Sequence, residues 1–139
     1  VATLATDGVY YIRIENTDGL AVRSSSAVLT ISDVPAWQTA GGSLGSVAGN
    51  FNGTIATVSA TGDTIVYSES TNVLTNASLA NCTLNTSTGV ISSTDFGGSA
   101  TAATTYSFTL VATDAQNQAS SRNFTLSSSY GFANSGQFN

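Results

Sequence analysis

With 139 residues the chain is long enough for one full domain and part of a second. Eight carboxylates against three arginines give a formal charge of −5, which excludes nucleic acid and anionic membrane surfaces as partners, because both need clustered Lys and Arg. No apolar run approaches the roughly 20 residues of a membrane-spanning helix, so membrane insertion is not expected. The chain contains 21 Ser and 21 Thr, a charge-poor composition typical of secreted, cell-surface and virion proteins.

The chain opens with a predicted β-hairpin. Residues 9–15 are rich in β-branched and aromatic side chains, and residues 16–19 end in Asp-Gly, a pair that supplies the positive φ of a tight turn. Residues 20–31 form the returning strand. A lone hairpin cannot bury a core, so we expect residues 1–33 to complete a sheet whose other strands lie elsewhere. With no initiator Met, the chain is expected to be a processed product or a piece of something longer.

Residues 33–37 predict a joint, because Pro35 lacks an amide donor and fits a boundary or an edge strand. Trp37 is expected to plug one end of the following core, and exposure as a contact aromatic is the alternative. Short strands punctuated by turns follow it. They are predicted at residues 43–47, 54–60, 63–69, 79–84, 90–92, 104–113 and 119–127. The turn at residues 61–63 predicts a hairpin between the second and third of these strands.

This spacing, without helical periodicity, predicts an all-β fold, a β-sandwich preceded by the hairpin of an incomplete second domain. We therefore divide the chain into residues 1–33, residues 34–129 and a tail at 130–139. The tail is interpreted as a linker or frayed end. The alternative is an anchor that packs on a neighbouring subunit through its aromatic side chains. The interface candidates are Tyr130, Phe132, Phe138 and Trp37.

Two sets of residues carry resemblances to known families. The first comprises residues 8–10, Ile12, Ile14, Asn16 and residues 18–20, and it resembles the last two strands of IPT/TIG-type immunoglobulin-like domains. The second comprises residues 35–37, 44–45, Ala60, 65–68, 84–92, 106–110, 112–114 and 122–126. It resembles the cadherin-like, putative-Ig modules also found in dystroglycan. Together they look like repeats in virion proteins of tailed phages, especially marine cyanophages.

Catalytic chemistry is not expected. Without His or Lys, acid–base work would fall to carboxylates or Tyr, and no carboxylate pair stands out. The Asp residues mostly lie at predicted turns, where local hydrogen bonds favour them, and Glu15 and Glu69 are expected to be solvated strand ends. No cofactor is predicted. Calcium is the one candidate metal, with Asp33 at the joint and Asp114 in a stretch that resembles a ligand-bearing segment of calcium-binding cadherins.

Two further residue types bear on modification. Cys82 is the single cysteine, so it forms no internal disulfide and is expected to be a small buried hydrophobe. Five Asn-X-Ser/Thr sequences are candidate glycosylation acceptors, and a bacterial host would leave them bare. They begin at Asn52, Asn76, Asn81, Asn85 and Asn123.

The preferred hypothesis is a non-enzymatic structural protein of a virion surface, a tail or neck fibre or a capsid decoration. Its rigid modules would offer loops and hydroxyl-rich strand faces to weak, multivalent contacts. The expected partners are other copies of itself or other virion subunits, with host surface glycans as a further candidate. The alternative is a subunit of an extracellular filament that polymerises by β-strand complementation. A carbohydrate-binding module with an aromatic platform is disfavoured, because the core is expected to consume the aromatic residues.

Overall fold

The computed structural model describes residues 8–10, 12–29, 33–74, 81–96 and 103–129, and these residues contain strands and no helix. The chain divides into two compact units, Val1–Asp33 and Val34–Asn139. No helix in the described ranges could cross a membrane. The strands are β1 Gly8–Tyr10, β2 Arg13–Glu15, β3 Ala21–Arg23, β4 Ala27–Leu29, β5 Ala36–Trp37, β6 Gly42–Ala48, β7 Gly53–Thr57, β8 Ala60–Thr61, β9 Val66–Glu69, β10 Cys82–Leu84, β11 Val90–Ser93, β12 Thr104–Thr113 and β13 Ala119–Ser129.

The first unit is the predicted hairpin. β2 pairs with β3 and β1 pairs with β4, both antiparallel. At the turn, the Asn16 side-chain oxygen accepts the amide hydrogens of Asp18 (3.1 Å) and Leu20 (2.9 Å), and Gly19 adopts a φ of +78°. The hairpin prediction is therefore confirmed.

Each strand of the hairpin is split in two, which the sequence pattern did not indicate. Two residues lie between Tyr10 and Arg13, whereas three lie between their partners Ala27 and Arg23. The returning strand thus carries one extra residue, which is the defining feature of a β-bulge. Beside it, the Ser24 hydroxyl accepts the amide hydrogen of Ile12 at 2.8 Å. This bond satisfies a backbone donor where the strand ladder is interrupted.

The second unit contains two main sheets. One has four strands in the order β6-β13-β12-β9, and the other has three in the order β10-β11-β7. A short antiparallel pair, β5 with β8, lies at the start of the unit. All pairings within the main sheets are antiparallel except that of β6 with β13, which is parallel.

Period-2 alternation places the core between these sheets. In β12 the side chains of Phe108, Leu110 and Ala112 are buried, and in β13 those of Phe124 and Leu126 are buried. Successive strand side chains point to opposite faces, so these five share the inner face of the four-stranded sheet. The alternation of apolar residues along residues 104–113 and 119–127 of the sequence predicts these same two inner faces. From the other sheet, Cys82 and Ile91 complete the inner layer.

The predicted hairpin between residues 54–60 and 63–69 is wrong. β7 pairs with β11 in the three-stranded sheet, whereas β9 pairs with β12 in the four-stranded sheet. Residues 58–65, which include β8, therefore connect the two layers. Thr64, expected in a strand, has a φ of +53°. The Tyr67 hydroxyl oxygen accepts the Ala60 amide hydrogen at 2.9 Å, which anchors this connection.

Three of the described core residues lie outside the strands: Val58 between β7 and β8, and two residues that follow strands. Phe96 follows β11 and Leu74 follows β9, and both side chains have 0% exposure. The Phe96 ring meets Tyr106 edge to face, with centroids 5.8 Å apart. Neither Phe96 nor Leu74 belongs to an alternating run, so sequence periodicity gave no indication of their burial.

Candidate functional site

The outer side of the four-stranded sheet is uncharged and rich in hydroxyl groups. On β12 and β13, its residues alternate with the buried positions. On β6 and β9, its residues pair with these outward-facing residues of β12 and β13. The apolar members of this surface are Ala48, Val66, Val111 and Ala119. We call its polar part the hydroxyl face, which consists of Ser43, Ser46, Ser68, Thr105, Ser107, Thr109, Ser121, Asn123, Thr125 and Ser127.

A shallow depression with a volume of about 390 Å³ lies within the hydroxyl face. The depression is formed where β12, β13, the start of β6 and the loop after β9 meet. A Cβ atom added at Gly42 would meet nothing within 4 Å, so the depression is open on that side. Its lining includes no charged side chain. The lining polar residues are Thr71, Ser107, Thr109, Asn123 and Thr125.

Hydrogen bonding divides the residue pairs of β12 and β13 on this face. The hydroxyls of Thr105 and Ser127 bond to each other at 2.9 Å, and the Thr109 hydroxyl donates to the Asn123 side-chain oxygen at 2.8 Å. Ser107 and Thr125, the pair between them, make no side-chain hydrogen bond within the described parts of the chain. Their hydroxyls are thus available to a ligand.

The first unit presents a different surface. Ile14 pairs with Val22, and their side chains are 68% and 71% exposed; Ile12 and Leu20, two residues away, are 67% and 71% exposed. We call these four residues the apolar hairpin face. The opposite side of the same strands is charged, since Arg13 pairs there with Glu15 at 2.9 Å. One apolar and one charged side is the pattern of a strand pair that covers a core.

Trp37 contributes to the core of the second unit, as expected. Its ring lies 5.9 Å from that of Tyr67 and 5.5 Å from that of Phe124, and its indole N–H donates to the Ser120 carbonyl at 3.2 Å. The side chain is half-buried, so an additional interface role stays a prediction. The other interface candidates, Tyr130, Phe132 and Phe138, lie outside the described residues.

The two calcium candidates have different surroundings. The buried Asp114 carboxylate accepts the amide hydrogens of Gln116 (3.0 Å) and Gln118 (2.8 Å) in the turn between β12 and β13. Asp33 is exposed and belongs to the other unit. Calcium takes 6–8 oxygen ligands, and within the described residues no three acidic, Cys or His side chains cluster. The Asp114 carboxylate thus holds its own turn, and calcium binding at Asp33 or Asp114 stays a prediction.

Glu69 was expected to be a solvated strand end, which is wrong. Its carboxylate accepts the backbone amide hydrogens of Val73 and Leu74 and the hydroxyl hydrogen of Thr71. The Thr71 hydroxyl in turn accepts the Thr109 amide hydrogen at 3.0 Å. Glu69 therefore fixes the loop that buries Leu74 and borders the depression.

Replacement of Glu69 by Ala is expected to lower the free energy of unfolding by about 2 kcal/mol, because it leaves backbone donors near Leu74 without an acceptor. Glu69→Gln keeps one acceptor oxygen and should lose about half as much. Denaturant titration followed by Trp37 fluorescence measures both, since Trp37 is the single tryptophan. Equal stability of the wild type and Glu69→Ala would contradict this role.

Cys82 is buried at 3% exposure, which confirms its predicted role. Burial raises the pKa of its thiol to about 11, because the thiolate would lose its hydration. At pH 8 about one thiol in a thousand is then ionised. We expect iodoacetamide to leave the folded chain unlabelled at pH 8 and to label it fully in guanidinium chloride, as measured by intact mass. Equally fast labelling of both states would contradict this, and Cys82→Ser is the unreactive control.

The candidate glycosylation acceptors differ in their contacts. Asn52 is exposed, and the Asn81 amide donates to the Asp95 carbonyl at 3.1 Å. The Asn85 side chain accepts the amide hydrogens of residues 87 and 88 within its turn. Asn123 lines the depression, and Asn76 lies outside the described residues. Glycosylation of these residues stays a prediction.

No protein-family profile and no curated protein sequence matches the chain. Solved structures do match it. A structure titled PcdhgB3 EC1-4 aligns with a TM-score of 0.60 at 12% identity over 92% of this chain, and mouse clustered PcdhgC3 EC1-3 with 0.55 at 14% over 90%. A third, titled protocadherin gammaB7 EC3-6 cis-dimer structure, aligns with 0.51 at 16% over 91%. This chain spans 40%, 53% and 33% of their respective lengths. The chain thus has an all-β fold of the cadherin-like, immunoglobulin-type sandwich class.

Proposed function

We propose that this chain is a passive adhesion and display module of an extracellular surface. The hydroxyl face carries the proposal, because a broad, uncharged and rigid surface suits many weak contacts that add up when modules are displayed in number. The cadherin-like fold supports it, since another similar structure, with a TM-score of 0.54, is titled as extracellular cadherin domains 1-4 of protocadherin gamma B7. One of the similar structures is titled a cis dimer, which supports other copies of this chain as partners.

A non-catalytic role is part of the proposal. Two acidic side chains that could serve in acid–base chemistry have structural roles instead. The Asp114 carboxylate accepts hydrogen bonds that stabilise a turn, and the Glu69 carboxylate accepts hydrogen bonds that stabilise a loop. The thiol of Cys82 is buried and its pKa is raised, which disfavours the nucleophilic thiolate. These observations support a surface that acts by contact.

We further propose that the surface is that of a virion, as a tail or neck fibre or a capsid decoration. The sequence resemblance to phage repeats, over residues 8–20 and 34–128, supports this assignment. Gold-labelled antibody against the chain should then decorate the outside of intact particles in electron micrographs. Labelling only after the particles are broken would contradict it.

Adhesion is tested with beads that carry many copies of the chain. We expect such beads to be retained by some of a panel of intact bacterial cells, marine cyanobacteria included, under washing that removes the free chain. A double Ser107→Asp/Thr125→Asp variant should reduce retention by placing charge in the hydroxyl face. The matched control is Thr83→Asp/Ser92→Asp on the outer side of the other sheet, where these two hydroxyls bond at 3.0 Å. Equal retention of both variants would contradict the role of the hydroxyl face.

The second candidate is a filament subunit that polymerises by strand complementation, and the apolar hairpin face favours it. Contiguous exposed apolar surface is unusual in soluble monomers and marks an interaction site. Each hairpin strand also pairs with a single other strand in the described part of the unit, which leaves one edge of each open to a further strand.

Polymerisation of the purified full-length chain is the test of this candidate. Filaments in electron micrographs, lost in a double Ile14→Asp/Val22→Asp variant, would support it. The control, Arg13→Ser/Arg23→Ser, changes the charged side of the same strands and should leave filaments intact. A monodisperse monomer at high concentration would contradict the filament.

A further inference from the structure

We propose that the depression in the hydroxyl face binds a neutral, polyhydroxylated ligand, a short uncharged segment of a glycan. The inference rests on the proposed adhesion function and names the ligand class of its contact surface. Ligand pockets commonly have volumes of 300–1,000 Å³, and the depression has about 390 Å³. Its open shape suits one or two sugar units of a longer chain.

The arrangement of donors and acceptors favours hydroxyl-bearing ligands. The hydroxyls of Ser107 and Thr125 make no hydrogen bond within the described residues. In the neighbouring pair on each side, the two side chains are hydrogen-bonded to each other. A hydroxyl donates one hydrogen bond and accepts two, and a sugar hydroxyl does the same. The Asn123 amide group adds two donors, because only its oxygen is used, by Thr109. Adjacent sugar hydroxyls can thus both donate to and accept from this site.

The same lining disfavours the other common ligand classes. No Arg or Lys lines the depression, so a phosphate, sulfate or carboxylate group would bind without a counter-charge, on a chain that is itself acidic. No Asp or Glu lines it either, which disfavours cationic ligands. Phe108 and Phe124 contribute to the floor, but their side chains are 2% and 0% exposed. Binding therefore relies on hydrogen bonds instead of stacking, and single-site affinity is expected in the millimolar range.

The experiment is an NMR titration of the full-length chain, produced in bacteria so that Asn123 carries no glycan. The probes are maltotriose, mannotriose and lactose, with sialyllactose as the anionic match to lactose. We expect at least one neutral probe to shift the amide signals of residues 107–109 and 123–125. Sialyllactose, which carries an additional sialic acid, should bind more weakly than lactose.

Two matched variants locate the site. Ser107→Ala/Thr125→Val removes the unpaired hydroxyls and is expected to weaken binding about tenfold, the effect of one to two net hydrogen bonds. Thr105→Val/Ser127→Ala removes the neighbouring pair, which is bonded to itself, and should change binding less than about twofold. Both variants alter exposed or half-buried positions, so amide spectra will show that the fold is retained.

Each other outcome overturns the inference. These outcomes are no shift with any neutral probe, shifts confined to another surface, stronger binding of sialyllactose than of lactose, or equal weakening by both variants. Concentration-dependent broadening at residues 107–109 without a probe would identify a second copy of the chain as the occupant instead. If the beads are retained on cells but no glycan shifts the amide signals, the glycan inference fails and the adhesion proposal stands. If a glycan shifts the amide signals but the beads are not retained, only the adhesion proposal fails.

Discussion

Replacement of Gly89 by Ala is expected to lower the free energy of unfolding of the second unit by about 2–5 kcal/mol. Gly89 has a φ of +70°, and a Cβ atom there would lie 2.2 Å from the Val58 carbonyl oxygen and 3.2 Å from the Tyr67 ring. The positive φ alone costs about 1–2 kcal/mol, and relief of the clash adds about 1–3 kcal/mol. Val58 cannot easily yield, because it is buried and its amide donates to the Gly89 carbonyl at 3.0 Å.

Gly45→Ala is the matched control in the same unit. Gly45 has a φ of +122°, but an added Cβ atom would meet nothing within 4 Å. Its substitution should therefore cost only the backbone strain, about 1–3 kcal/mol. Guanidinium titration of both variants, followed by Trp37 fluorescence, gives the difference. Equal losses would show that the contact with Val58 is unimportant.

Truncation of Phe124 to Ala is expected to cost about 3–5 kcal/mol, the range for a fully buried aromatic side chain. Phe124 is 0% exposed, and its ring centroid lies 5.5 Å from that of Trp37 and 6.2 Å from that of Phe108. Because domains of this size are typically stable by 5–15 kcal/mol, the loss would be a large part of the total. The cavity beside Trp37 should also shift the tryptophan emission to longer wavelength in the folded state.

Val66→Ala is the corresponding surface control. Val66 lies on the outer side of β9 and is 48% exposed, so its truncation should cost less than about 1 kcal/mol. Thermal unfolding followed by circular dichroism gives a second readout that does not depend on Trp37. A loss below about 1 kcal/mol for Phe124→Ala would mean that the core around Trp37 is not continuous.

The elements with strong local patterns were predictable from the sequence. β12 was predicted with the bounds that the structure shows, and the inner faces of β12 and β13 followed from alternation. The turn at residues 16–19 was predictable because Asn and Gly satisfy its hydrogen bonds and its positive φ locally. Burial of Cys82 followed from the character of the residue itself.

What could not be predicted depends on pairing between distant strands. A period of two indicates which side of a strand is buried but not which sheet contains it, so β7 and β9 were wrongly joined. The parallel pairing of β6 with β13 had no local indication either. The depression depends on the same register, since only the pairing of β12 with β13 leaves Ser107 and Thr125 as the unbonded pair. The composition indicated hydroxyl-rich faces without locating this pair.

The parallel contact between β6 and β13 has a mechanical consequence. Their paired positions extend from Phe124 with Gly42 to Ser129 with Ala48, so tension that pulls β6 backwards and β13 forwards acts along the strands. The hydrogen bonds that join these two strands then resist sliding together, instead of opening one at a time as a zipper does. When it is pulled in this direction, the second unit of the chain should withstand much higher forces than when it is pulled across the sheet.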